Sequence, residues 1–294
     1  MKIAIVGSFD YHLECIGFLL EIYNNNDNNI DIIIGKDSDK HGYIKYYLTI
    51  FNFNVIYNKK KRFDKGIINN YDKIFKLTSN DSCLNHNKII SILHLDSSIV
   101  KKKDKSEKFI SLTPYIQGNN VYTIFPIYHP VLTGSKVSNN VIMIGYYDNN
   151  WFDNDTINFI TNNINHQFIF VVWGSNSYPK LNNLKNVKLL MNIKTCVLNN
   201  MINDSKFILS KKIINHDRFS GQLALAMSYE KPLIIDTKTK NTYKLPGIGF
   251  DKNYSEVGNL DEISDEKYNF LKNEIKSLKN TIIDANKKIF ESVF

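Results

Sequence analysis

The residues best suited to chemistry stand together in the run Arg218-Phe219-Ser220-Gly221-Gln222-Leu223-Ala224-Leu225-Ala226-Met227. Ser220 is a favoured residue type just before a helix, and Gly221 puts no side chain in the first turn. A helix starting there leaves the amides of Gly221, Gln222 and Leu223 without intrahelical partners, and its dipole adds positive potential. Those are the requirements of an anion site of the kind that holds a phosphate. Arg218 adds a planar fork of donors. The plainer alternative is a buried helix with a serine cap.

A second group follows the first strand, in Val6-Gly7-Ser8-Phe9-Asp10 and then His12. A turn at Gly7 and Ser8 could cradle a phosphate or be a plain tight turn. It is not GxGxxG, and no acidic residue is clearly placed for a ribose, so dinucleotide binding has little support. His12, with Asp10 nearby, has the chemistry of a general base; a solvated surface histidine is the alternative. Asp81, His94 with Asp96, and His129 carry the same ambiguity. Trp173 and Gly174 end another strand, where an indole could pack beside a nucleotide base. No GxSxG, Walker A or HExxH string is present, which disfavours serine-hydrolase, P-loop and zincin chemistry.

These residues need a scaffold, and the hydrophobic pattern supplies one. Short apolar runs at 2–6, 30–34, 54–57, 72–77, 88–93, 109–112 and 121–125 read as strands. The stretches 9–23 and 43–51 read as helices. Runs such as Ile30-Asp31-Ile32-Ile33-Ile34 suit strands covered on both faces, as in parallel sheets. After the proline-containing segment 126–130 the pattern restarts. Strands are expected at 141–144, 168–173, 187–191, 206–209 and 232–235, and helices at 153–164, 195–202 and 220–228. Alternation of this kind implies right-handed βαβ units. The expectation is an α/β protein of two Rossmann-like domains with parallel sheets, 1–130 and 131–294. In the tail, Tyr268, Leu271, Ile275, Leu278 and Ile282 form one apolar stripe, expected to pack back across the body of the chain.

Length agrees, since 294 residues at roughly 100–200 per domain make two. A formal charge of +8 favours anionic ligands, and much of it lies in the runs Lys59–Arg62 and Lys101–Lys103, read as solvated loops. The three cysteines are dispersed, with no metal-ligand spacing, which fits a reducing compartment and no bound metal. The N-terminal apolar run is too short and too β-branched for a signal peptide. No apolar run approaches the ~20 residues of a membrane span. A soluble, cytoplasmic protein is expected, with peripheral membrane contact left open. No aromatic-interleaved basic motif supports nucleic acid as a partner.

The strands ending at Gly145, Gly174 and Ser210, together with the string DRFSGQLALAMSYEKPLII, resemble the C-terminal half of a GT-B glycosyltransferase. Many of those end in an acidic residue, GFG, a helix LLEAMA and GKPVI. The resemblance implies transfer of a sugar from a nucleotide-diphosphate sugar to a glycan or other acceptor, with no metal or other cofactor. It places the donor mostly on the C-terminal domain and the acceptor side on the N-terminal one. The donor diphosphate would lie on Arg218, Ser220, Gly221, Gln222 and Lys211. Asp217 matches the first of two family glutamates, while Leu225 stands where the ribose-binding second one would be. The family's basic clasp after the first strand of this half has no match at 145–149, and Lys211 or Lys212 could take its place. Catalytic roles would fall to His12, Asp10 and Asp217. A nucleotide-sugar epimerase using Asp10, Asp81 and Asp217, and a non-catalytic nucleotide- or glycan-binding protein, are the alternatives.

Overall fold

The computed structural model describes residues 1–7, 12–24, 27–58, 65–78, 86, 88–94, 108–128, 137–145, 149–174, 177–212 and 219–294. They form two compact units. The first takes the described residues up to 128 with Phe219 and Ile282–Phe294; the second takes 137–212 and Ser220–Thr281.

Unit one contains β1 (Lys2–Gly7), β2 (Asn29–Gly35), β3 (Asn54–Asn58), β4 (Lys73–Lys76), β5 (Ile89–Leu93), β6 (Lys108–Ser111) and β7 (Val121–Thr123). Its helices include α1 (Ile16–Tyr23) and α2 (Tyr43–Tyr47). The strands pair in parallel in the order β3-β2-β1-β4-β5-β6-β7. Ile3, Ala4, Ile5 and Val6 of the central strand are fully buried, as a strand covered on both faces requires. Asp31 is buried among the isoleucines of β2. Its carboxylate accepts from the Tyr71 hydroxyl at 2.7 Å and the Asn54 amide at 3.0 Å, so the charge is compensated.

Unit two contains β8 (Asn140–Gly145), β9 (Gln167–Val172), β10 (Val187–Met191), β11 (Phe207–Leu209), β12 (Leu233–Asp236) and β13 (Gly247–Phe250). Its helices are α3 (Asn154–Asn162), α4 (Pro179–Asn182), α5 (Thr195–Asp204), α6 (Gly221–Ser228), α7 (Thr237–Tyr243) and the first part of α8 (Asp265–Val293). The sheet is parallel, in the order β10-β9-β8-β11-β12-β13. Its core is rich in aromatic side chains, among them Phe152, Phe159, Phe168, Phe170, Phe207 and Tyr254. Each such burial stabilises the unit by about 1.5–3 kcal/mol.

Strand order reverses between β1 and β4 in unit one and between β8 and β11 in unit two. In open parallel sheets, ligands bind outside the carboxyl ends of the strands at such a reversal.

Three expectations need correction. The helix expected from residue 9 begins later: His12 has φ 68, a one-turn 3-10 segment Leu13–Cys15 follows, and α1 starts at Ile16. A left-handed residue cannot continue a right-handed helix. Three elements, α4, β13 and α7, have no expected counterpart in the sequence. β13 looks like loop because Gly247 and Gly249 interrupt it, yet a Cβ at Gly247 would lie 2.7 Å from the Leu233 carbonyl oxygen, so close strand packing demands glycine. α7 has no apolar stripe and is started by Asp236, which accepts from the Thr239 amide at 2.8 Å. Finally, the buried face of α8 departs from the expected stripe after Ile275. Lys279, Asn286 and Phe290 are buried, whereas Leu278 and Ile282 are only half-buried. Lys279 donates to the Ser228 carbonyl at 2.8 Å within unit two. At the far end, Asn286 donates to the Phe125 carbonyl at 2.7 Å, and Phe290 packs on Phe18, Tyr23 and Phe75 within unit one.

Candidate functional site

In unit two the candidate residues gather at the β8–β11 reversal. α6 starts at Gly221 with Ser220 at the cap position, but the serine side chain makes no capping hydrogen bond. The hydroxyl therefore does not set this start. The Leu223 amide is also engaged, donating to the Ser220 carbonyl at 3.0 Å. Among the described residues, a Cβ at Gly221 would meet nothing within 4 Å. Packing does not require glycine there, and the first turn is open to an approaching group.

The side chain of Gln222 is engaged within unit two. Its side chain is buried; Oε1 accepts from the Lys211 amide at 3.3 Å and Nε2 donates to the Ile144 carbonyl. Ser210, between β11 and Lys211, is held as well. Its amide donates to the Ile234 carbonyl and its carbonyl accepts from the Tyr254 hydroxyl, both at 2.8 Å.

The two lysines divide. Lys212 bridges Asp155 at 2.8 Å and Asp153 at 3.1 Å, and lies over the Tyr254 ring. Burial alone would raise both carboxyls. Hydrogen bonds from Thr156 to Asp153, from Lys212 and Ser255 to Asp155, and from Lys212 to Asp153 outweigh it, holding both below the usual carboxylate range. Lys212 is thereby committed to structure. The Lys211 ammonium instead sits 4.1 Å from the centre of the Trp151 ring. Trp151 follows β8 and was not singled out from the sequence; its distance in sequence from Lys211 hid the pairing.

Trp173, half-buried, and Gly174 follow β9. Gly174 has φ 119 and is clamped by Asn192, whose side chain accepts from its amide at 3.0 Å and donates to its carbonyl at 3.1 Å.

In unit one, Gly7 ends β1 in a tight place: a Cβ would lie 3.1 Å from Leu77 and 3.2 Å from Leu13. His12 stacks on His94, with ring centroids 3.6 Å apart. Nδ1 of His12 is 3.6 Å from Oε1 of Glu14, and Nε2 of His94 is 2.9 Å from the Leu77 carbonyl. A carbonyl only accepts, so that nitrogen of His94 carries a proton. Burial would raise the Glu14 carboxyl, but the hydrogen bond and charge of His12, with a further contribution from His94, hold it below its ordinary value. The Phe219 amide donates to the His94 carbonyl at 3.1 Å. Sequence pointed to His12 and to His94 separately; Glu14 was missed, although it stands two positions from His12.

Ser8, Asp10, Asp81, Asp96, His129, Asp217 and Arg218 lie outside the described residues. Among the described residues, no group of three His, Cys, Asp or Glu side chains is placed to hold a metal ion. No helix among them is long and apolar enough to cross a membrane.

Two parallel α/β units, each with its reversal beside its first strand, define a protein of the GT-B fold. That fold is shared by glycosyltransferases and UDP-N-acetylglucosamine 2-epimerases, and solved members of both groups resemble this chain. A candidate UDP-N-acetylglucosamine 2-epimerase from Listeria monocytogenes superposes with a TM-score of 0.61 at 10% identity, covering 99% of this chain and 97% of its own. The UDP-GlcNAc 2-epimerase from Neisseria meningitidis, bound to UDP-GlcNAc, gives 0.56 at 12%, covering 100% and 99%. The spinosyn forosaminyltransferase SpnP gives 0.57 at 9%, covering 100% and 99%. The likeness is one of fold. No family model and no curated protein matches the sequence.

Proposed function

We propose that the chain binds a nucleotide-diphosphate sugar on its second unit and transfers the sugar to an acceptor held by the first. The observation that carries this is the open start of α6, set at the β8–β11 reversal. First-turn amides and the helix dipole offset phosphate charge without a metal ion. Arg218 and Lys211 supply fixed charge, the main-chain amides of Gly221 and Gln222 supply donors, and Trp173 beside Gly174 receives the base. His12 takes the proton from the acceptor hydroxyl, with Asp10 and Asp217 as its acidic partners in the site. Solved proteins of this fold in complex with UDP-GlcNAc and UDP support the choice of ligand.

Epimerisation of the bound sugar is the second reading, favoured by the 2-epimerases among the similar structures. Leu225, which cannot hydrogen-bond a ribose, favours a third outcome, binding without turnover. Calorimetry with UDP and GDP tests the donor site, and absence of binding by either refutes it. Incubation with UDP-GlcNAc, with and without EDTA, then separates the readings. EDTA-insensitive transfer of GlcNAc to an added acceptor, with release of UDP, supports transfer. Formation of the 2-epimer supports epimerisation. Tight binding with neither product supports the non-catalytic form.

A further inference from the structure

We propose that Gln222 is a positioning residue that locks the start of α6 onto the β8–β11 reversal, so that the anion site is preformed before ligand arrives. This rests on the donor site assigned above and identifies what holds it in place.

Ile144 lies in β8, Lys211 lies just beyond β11, and the two strands are paired neighbours. One side-chain amide joins both of their ends to the second residue of the helix. Its orientation is determined. A flipped amide would set oxygen against the Ile144 carbonyl and an N–H against that of Lys211. The side chain is only 5% exposed, so water offers poor replacement for either bond. The end of β11 is tied further, by Tyr254 to Ser210 and by Ser210 to Ile234. Main-chain donors fixed in this way need not be ordered by the ligand, and affinity rises by the ordering cost avoided. Lys211 gains equally, because its own amide is the group that Gln222 holds.

The side chains available at this position separate the contributions. Methionine keeps the length and makes neither bond. Glutamate keeps the acceptor for Lys211 and loses the donor to Ile144. The test is calorimetry of UDP and uridine with wild type, Gln222→Met and Gln222→Glu, together with hydrogen exchange at the Lys211 amide. Gln222→Met should weaken UDP roughly three- to tenfold, the scale of one hydrogen bond, while uridine affinity holds and the Lys211 amide exchanges faster. If Gln222→Met does not fold, Gln222→Glu tests the Ile144 bond alone: UDP should weaken, uridine affinity should hold, and the Lys211 amide should exchange as in wild type. UDP affinity unchanged in the variant overturns the proposal, as does an equal loss for UDP and uridine, which marks a merely structural residue. If wild type binds no UDP, the nucleotide reading fails, and exchange at Lys211 alone decides the brace: unchanged exchange overturns it.

Discussion

The imidazoles of His12 and His94 stack with centroids 3.6 Å apart and planes 23° from parallel. His94 is held in turn by the Leu77 carbonyl. The stack fixes the orientation of a ring that projects from a left-handed residue. If His12 is the base, His12→Gln should lower kcat by about 10²- to 10⁴-fold and leave UDP affinity unchanged. His94→Ala should lower kcat less and leave KM near wild type, because it removes orientation and not the proton acceptor. Steady-state kinetics of both variants checks this; full activity in His12→Gln excludes the base role.

Glu14 predicts an acid limb in stability. Its folded carboxyl lies below the ordinary value of 4.5, so the unfolded chain takes up the proton first. The stabilisation is complete above the unfolded value and is lost as pH falls through the folded one. Glu14→Gln should flatten that part of the stability profile. Urea melts between pH 3 and 6, roughly the carboxylate range, read it directly.

Two glycines should respond in opposite directions. Gly221→Ala meets no atom of the described residues within 4 Å and should stabilise the helix, and with it the fold, by about 0.4–1 kcal/mol. Gly247→Ala would drive a Cβ to 2.7 Å from the Leu233 carbonyl oxygen and should destabilise by about 1–3 kcal/mol. Thermal melts settle both. The bulkier Gly221→Val should also block UDP at the start of α6; if it binds UDP as wild type does, the nucleotide sits elsewhere.

Arg218 carries a quantitative expectation from its chemistry. Loss of one charge-assisted contact to a diphosphate is worth about 1.5–3 kcal/mol, so Arg218→Ala should weaken UDP roughly 10- to 150-fold. Calorimetry at fixed ionic strength measures it. An affinity within twofold of wild type removes Arg218 from the site.

His166 gives a second pH effect, in unit two. Its side chain is 1% exposed and neither ring nitrogen has a hydrogen-bond partner among the described residues; Asp261 lies 3.5 Å away. Burial pushes its pKa below 6.5, and the attraction of Asp261 does not restore it. The unfolded state binds the proton first, so stability falls as pH drops from about 6.5 through the folded value. His166→Gln should remove that slope. Equal slopes in Tm against pH for variant and wild type would show that other groups cause it.

Local pattern was enough to read most of the scaffold. The buried strands Lys2–Gly7, Asn29–Gly35 and Gln167–Val172, and the start of α6, announce themselves through apolar runs and a serine-glycine helix start. These depend on neighbours along the chain, which sequence displays. The partners of the polar side chains do not. Nothing near Gln222 in sequence says that its amide faces Ile144 and Lys211, and nothing near Lys212 points to Asp153 and Asp155. The meeting of His12 with His94 depends on adjacent β1, β4 and β5, which bring distant strand ends to one edge. β13 could be recognised as a strand only once β12 lay beside it, because Gly247 answers a close backbone approach. Periodicity is local and so was legible in the sequence; hydrogen-bond pairing and close packing arise between segments brought together by folding, and only the tertiary structure decided them.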